Sequence, residues 1–271
     1  MAVILITGAA GGIGRFLLDE LSNSPHRVIA TDIRRPDSLP ENAAFRFMDV
    51  RGKDPADIIE REKPEIIVHL ASIVTPPKGA TRDFSFAVDV TGTRHVLDAA
   101  LAAGTRRIVV TSSGAAYGYH ADNPVPLTET APLRGNAAFA YAHHKRLVEE
   151  LLADIRQSAP HLEQVILRVG TVLGAGMDNQ ITSLFRRKRL LGIRGSESPF
   201  VFIWSRDLAR ILLRAATDGP AGIYNVSGDG MMGISDIARR LNKQVLWLPA
   251  WALKAALAIA NPLGLTQYGS E

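Results

Sequence analysis

The sequence predicts an α/β fold, a doubly wound parallel sheet followed by a smaller mixed lobe. Three observations predict it. Short β-branched runs alternate with longer helix-like segments through the first two-thirds of the chain, as in right-handed βαβ units. Most of these runs are apolar almost throughout, the pattern of strands buried on both faces. After about residue 170 the alternation gives way to helix-like segments with only short apolar runs between them.

The expected strands are 2–7 (AVILIT), 27–31 (RVIAT), 44–48 (AFRFM), 65–70 (EIIVHL), 106–112 (RRIVVTS) and 163–169 (EQVILRV). Helices are expected between most of them, including GIGRFLLDELSN and VTGTRHVLDAALAAG. In the second, Val90, Thr93, Val96, Leu97 and Ala100 share one face at helical spacing. Farther on, ITSLFRRKRLLG, SRDLARILLRAA and ISDIARRLN also read as helices, with apolar runs at 200–203 and 222–226. Residues 1–170 are read as the nucleotide-binding domain with the catalytic residues. Residues 171–271 are read as mainly a substrate-binding lobe, with a discontinuous boundary.

Composition narrows the function. The 271 residues are 46% hydrophobic and 21% charged, ordinary globular values. The net charge of +4 is too small and scattered for nucleic acid. The one dense basic run, FRRKR (185–189), reads as a solvated helix face. There are no cysteines, so disulfides, thiolate nucleophiles and zinc–thiolate sites are excluded, and a reducing, cytoplasmic location is expected. The first apolar run stops at Thr7 with no basic segment before it, unlike a secretory signal. VLWLPAWALKAALAIANPLGL (245–265) is interrupted by Pro249, Lys254 and Pro262. It reads as a buried strand and helix rather than a membrane span, with an interfacial or dimer-packing helix as the alternative. No metal set is expected: His143 and His144 read as one exposed and one packed side chain.

Gly8, Gly11 and Gly14 follow the first strand and open a helix. At this place, missing side chains let a pyrophosphate approach the backbone and the free N–H groups of the helix start. Gly12 and Ile13 belong to the same turn. Asp32 ends the second strand, followed by Ile33; its carboxylate can accept both ribose hydroxyls and repels a 2′-phosphate. The pattern is Rossmann-type, and the expected cofactor is NAD. Arg34 and Arg35 make NADP the less favoured choice.

Tyr141 and Lys145 lie four apart on an expected helix, on one face. Ser113 lies just past a strand end, where open parallel sheets bind ligands. A neighbouring ammonium and a nicotinamide cation would draw the tyrosine from about 10 toward neutrality. Ser113 and Tyr141 would then share the oxygen of a small-molecule substrate.

With TGAAGGIG, HLAS (69–72), DVTGT (89–93), TSSGAAYG and YAHHK, the chain resembles the extended short-chain dehydrogenase/reductases of the NAD-dependent epimerase/dehydratase type. The resemblance runs through nearly all of the chain and implies that Ser113, Tyr141 and Lys145 are catalytic. It also implies cofactor contacts from Asp49, Val50, Leu70, Ala71, Ser72, Asp89, Thr111 and Val169, and further residues after Glu271. Asp89 stands where the family usually has asparagine. Thr171 replaces an asparagine near the substrate phosphates of the sugar-nucleotide members, and Phe200 an arginine for the diphosphate. Thr171 and Phe200 are thus expected at the substrate; Phe200, Phe202 and Trp204 also fit an ordinary core strand.

These departures point first to an NAD-dependent oxidoreductase interconverting a secondary alcohol and a ketone on a small or moderately apolar substrate, with weak binding of UDP. A nucleotide-sugar 4-epimerase is the alternative. A dehydratase fits less well, because Gly114 and Ala115 follow Ser113 where an acidic pair would stand. A non-catalytic dinucleotide sensor would be expected to have lost part of the catalytic group. If Asp32 reads the ribose, Asp32→Ala should weaken NAD binding and narrow its advantage over NADP. Titration of both cofactors measures this, and tighter NADP binding by the unmodified protein would remove the assigned role.

Overall fold

The structure, a computed structural model, describes residues 1–77, 79–177, 180–196, 199–253 and 255. Its centre is a seven-stranded parallel sheet. In chain order the strands are β1 (Val3–Thr7), β2 (Arg27–Asp32), β3 (Ala43–Phe47), β4 (Ile66–His69), β5 (Arg107–Ser113), β6 (Glu163–Val169) and, after the lobe strands, β10 (Gly222–Val226). Their spatial order is β10-β6-β5-β4-β1-β2-β3, so the winding reverses between β1 and β4. Ligands of such sheets sit beyond the strand ends at that reversal.

The pleat sorts the core into two layers. Ile4, Ile6, Val28, Ala30 and Val68 face α1 (Gly12–Leu21) and the later helix Ser205–Thr217. Leu5, Ile29, Ile67 and Ile108 face α2 (Asp54–Glu62), α4 (Gly92–Ala102) and α5 (Ala140–Ser158). The short α3 (Arg82–Phe86) runs into a π-helical turn, Ala87–Thr91, ahead of α4. All six expected strands form within a residue or two of their expected limits.

The lobe contains β7 (Thr171–Leu173), α6 (Gln180–Arg186), β8 (Arg189–Ile193), β9 (Phe202–Trp204), α7 (Ser205–Thr217), α8 (Ile234–Arg240) and β11 (Gln244–Leu248). The helix expected across 181–192 stops at Arg186, and the basic run ends in a strand rather than on a helix face. The pairing explains it. β8 lies parallel to β11, and a Cβ on Gly192 would meet the Trp247 ring at 2.7 Å. Tertiary pairing thus overrides a locally helical composition. Beyond residue 255, the apolar stretch lies outside the described residues.

The chain crosses between the two parts more than once. α7 packs on α1, and β10 pairs with β6 at the sheet edge. Arg107 of β5 secures this return: its Nη1 donates to the carbonyls of Ala215 and Gly219 at the C-terminal end of α7, where a cation is favoured. No helix among the described residues is long and apolar enough to cross a membrane.

At the reversal, the ends of β1 and β4 meet closely. Gly8 has φ +69, and an added Cβ would stand 2.8 Å from the Ala71 nitrogen. Thr7 Oγ1 accepts from the N–H groups of Leu70 and Ala71, each at 3.2 Å. Its own hydrogen therefore goes to His69 Nδ1, 2.8 Å away. His69 Nε2–H then donates to Thr93 Oγ1 at 2.9 Å, and the Thr93 hydroxyl to the Asp89 carbonyl. Burial pushes the His69 imidazole down to about 3, with the Lys145 charge adding to the shift.

Two outcomes follow from this junction. Gly8→Ala should lower stability by on the order of 2 kcal/mol, read from the urea midpoint at unchanged m. The unfolded chain protonates His69 below 6.5, whereas the fold resists to about 3. Stability from this residue is therefore complete above 6.5. It falls by about 1.4 kcal/mol per pH unit as pH drops toward the folded value. His69→Gln should flatten that acid slope in urea melts between about pH 6 and pH 4.

Candidate active site

The glycine turn leaves β1 and enters α1, which has Gly11 as N-cap and no side-chain cap on its first N–H groups. Gly14 is buried, and a Cβ there would collide with the Gly8 carbonyl and Ala9. Gly12 faces the Met177 thioether, at 2.8 Å from the position a Cβ would take. Asp32 stands beside this turn. Its Oδ2 accepts from the Ala10 N–H at 3.0 Å and its Oδ1 from the Arg34 N–H at 3.1 Å. Ile33 is exposed, and Arg35 lies over the Phe45 ring, 5.9 Å from its centroid.

Asp49 holds Arg51 through both carboxylate oxygens, and that hydrogen bond lowers its pKa. Val50 is buried against Gly92 of α4. Leu70 and Ala71 pack into opposite core layers, while Ser72 Oγ donates to Asp89 Oδ1 at 2.9 Å. Val169 is buried in the α1-side layer.

Ser113, Tyr141 and Lys145 come together at the end of β5. Ser113 ends the strand, its Oγ accepts from the Ala115 N–H at 3.2 Å, and its hydroxyl is close enough to the Tyr141 phenol to act on its ionisation. Lys145 is buried, and its Nζ donates to the Thr111 carbonyl at 2.8 Å while lying 5.7 Å from the Tyr141 ring centroid. Burial lowers the Lys145 pKa, and the charges of Asp89 and Glu149 oppose that shift. Burial also pushes the Tyr141 phenol up to about 12; the Ser113 hydroxyl works downward and the Asp89 charge upward. The chain's own groups thus move Tyr141 away from neutrality, contrary to the effect expected of the ammonium. Burial is the main reason, and Lys145 directs its hydrogen bond to the Thr111 carbonyl rather than to the phenol.

Thr171 begins β7, and its N–H donates to the Val201 carbonyl at 3.0 Å. Phe200 joins the aromatic cluster of the lobe, with Phe185 at 5.5 Å and Phe202 stacked at 6.1 Å. Its recorded ring partners belong to the lobe, not to the Ser113–Tyr141–Lys145 group. No group of three or more potential metal ligands occurs among the described residues.

Sequence reasoning missed a buried ionic network behind the strand end. Arg168 of β6 meets Glu149 of α5, with Nη2 and Oε2 2.7 Å apart, and also donates to Tyr117 Oη and the Glu129 carbonyl. Ser112 Oγ donates to Glu149 as well. Removing either partner would strand a buried charge, at about 3–5 kcal/mol. One signal was present: Glu149 falls four after Lys145 and eight after Tyr141, on the same helix face. Also missed was the pairing of His144 Nδ1 with Asp89 Oδ2 at 3.0 Å.

The family model for the NAD dependent epimerase/dehydratase family matches residues 4–227. An uncharacterized protein of Mycobacterium tuberculosis is 26% identical over 276 residues, covering 99% of this chain and 73% of that protein. The UDP-glucose 4-epimerase of Mycolicibacterium smegmatis is 29% identical over 238 residues, covering 80% of this chain and 74% of that protein. Among solved structures, the UDP-Glc/GlcNAc 4-epimerase of Campylobacter jejuni superposes with a TM-score of 0.76 at 22% identity, covering 92% of this chain and 87% of that one. The UDP-glucose 4-epimerase of Thermus thermophilus, in complex with NAD, gives 0.74 at 23%, covering 91% and 86%. These two likenesses show the fold. The family match spans the glycine turn, all seven strands of the main sheet and the Ser113–Tyr141–Lys145 group: the chain belongs to the NAD dependent epimerase/dehydratase family, a family of enzymes.

Proposed function

We propose that this chain oxidises and re-reduces a secondary alcohol carbon of a nucleotide sugar, in an epimerase-type cycle with NAD. The observation that carries the reading is the gathering of Ser113, Tyr141 and buried Lys145 at the end of β5, with Lys145 Nζ donating to the Thr111 carbonyl and lying 5.7 Å from the Tyr141 ring centroid. The residues of the turn fit the dinucleotide. The α1 start lacks a side-chain cap, and Asp32 keeps acceptor capacity beyond its two backbone bonds. Bound there, NAD supplies the hydride acceptor and a positive nicotinamide charge.

Tyr141 Oη takes the hydroxyl proton and returns it in the reverse direction. A phenol near 12 needs added positive charge to do this, so proton removal is tied to the oxidised cofactor. Ser113 Oγ orients the substrate oxygen, and Lys145 Nζ, fixed by the Thr111 carbonyl, would hold the ribose of the nicotinamide half. Residues 1–170 supply most of this machinery, and 171–271 mainly the substrate contacts.

Nucleotide-sugar chemistry is supported by the family match and by the similar enzymes, whose names are those of UDP-sugar 4-epimerases. The simpler alcohol–ketone oxidoreductase is the second reading. The specific observation favouring it is Phe200, whose ring packs in the lobe cluster where the resembling enzymes use arginine.

With NAD⁺ present, UDP-glucose and UDP-galactose should interconvert, followed by NMR of the anomeric protons, and UDP should bind at micromolar Kd. A Kd on the order of 1 mM or worse, without interconversion, would return the second reading. Tyr141→Phe should reduce turnover by about 10²–10⁴-fold while NAD affinity changes little. Lys145→Ala should lower both, and retention of most activity by Tyr141→Phe would sink the acid/base assignment.

A further inference from the structure

Behind the reacting group lies a buried pair that the proton step above does not use. Asp89 is 3% exposed and His144 1%. Asp89 Oδ1 accepts from Ser72 Oγ at 2.9 Å and from the Ile73 N–H at 2.8 Å. Its Oδ2 accepts from His144 Nδ1 at 3.0 Å. The carboxylate therefore joins three pieces of chain: the segment after β4, the π-helical turn Ala87–Thr91, and α5.

We propose that Asp89 and His144 form a positioning pair for the proton step. The pair fastens the catalytic turn of α5 to the segment Leu70–Ile73 and places a fixed negative charge behind Tyr141 and Lys145. The proposal rests on the acid/base role given to Tyr141.

The two residues specify each other. An asparagine at 89 would keep an oxygen for Ser72 and Ile73, but would turn an N–H toward His144 Nδ1. The imidazole would then have to carry its hydrogen on Nε2, a buried atom with no recorded hydrogen-bond partner. With aspartate, the hydrogen stays on Nδ1 and is used. His144 also has the right placement for leverage. It follows Tyr141 by three residues and precedes Lys145, so holding its ring holds that turn of the helix. The Phe86 ring packs against the imidazole edge to face, at 5.6 Å.

Among the surrounding charges, Glu149 bears on Lys145, and Asp89 bears on both Lys145 and Tyr141. From α5, Glu149 is engaged by Arg168 and Ser112. From β4, His69 is held neutral by burial. From β5 come only the Thr111 carbonyl and Ser113. At the rim, His143 contacts Arg82 and feels the Arg146 charge. Asp89 raises the pKa of both Tyr141 and Lys145. It thereby favours the ammonium of Lys145 and opposes premature ionisation of Tyr141.

Carbon-13 NMR of the Tyr141 Cζ resonance, assigned with Tyr141→Phe, tests the charge in the purified full chain with and without NAD⁺. In Asp89→Asn the phenol should titrate below the unmodified value of about 12, by roughly half a pH unit or more. NAD⁺ titration of His144 variants tests the fastening. His144→Leu should weaken binding at least about fivefold, whereas His144→Asn, which keeps a donor for Asp89, should stay within about twofold. An unshifted Tyr141 titration in Asp89→Asn overturns the proposal, as do equal affinities for the two His144 variants. The His144 comparison does not require Asp89→Asn to fold. Neither readout depends on turnover, so failure of the Tyr141 assignment would show separately, as activity retained by Tyr141→Phe.

Discussion

The contact on which the site depends is the approach of Thr7 and Gly8 to Leu70 and Ala71. Two parallel strands diverge there, and the crevice between their ends is where the cofactor-facing backbone must lie. The approach leaves no room for a Cβ on Gly8. It is held by one hydroxyl that accepts two backbone N–H groups and donates to a neutral imidazole. His69 carries this order onward to Thr93, and Thr93 to the backbone of Asp89. The glycine turn and the π-helical turn Ala87–Thr91 are therefore joined by one directed chain of hydrogen bonds. The Thr7 hydroxyl, the His69 imidazole and the Thr93 hydroxyl hand on the hydrogen bond in sequence, so a change at one reorders the others.

Burial governs the chemistry as much as the fold. Tyr141 and Lys145 are both shifted toward their neutral forms by desolvation. The two responses differ in value to an enzyme. For Lys145 the nearby carboxylates oppose the effect of burial, whereas a phenol held above its ordinary range needs help to ionise. In the proposed reaction such help would have to come from a positive charge near the ring.

Much of this was legible in the order of residues. The sheet strands are apolar almost throughout because both faces are covered, and that pattern survives without knowledge of partners. Tyr141 and Lys145 could be paired because four residues on a helix is a local distance. Their supporting groups could not. Arg168 sits in an apolar strand, and its partner Glu149 comes from a helix nineteen positions earlier. Asp89 and His144 are fifty-five apart, and read singly as a cofactor contact and an exposed or packed ring. The second half of the helix expected across 181–192 failed for the same reason, since the strand at 189–193 pairs with residues 244–248, far away in sequence. Local periodicity carries what a segment prefers; it does not carry what reaches it from elsewhere.

The pairing of β10 with β6 has a consequence for how the protein is made. The sheet's last strand is residues 222–226, and the Ala215 and Gly219 carbonyls that engage Arg107 come shortly before it. On a chain synthesised from its N-terminus, β6 is finished more than fifty residues before its outer neighbour exists. During that interval the EQVILRV segment is an open, largely apolar edge that any other strand can extend. The intervening lobe segments emerge while this edge is uncovered, so the nascent chain passes through a stage at which association competes with completion of its own sheet.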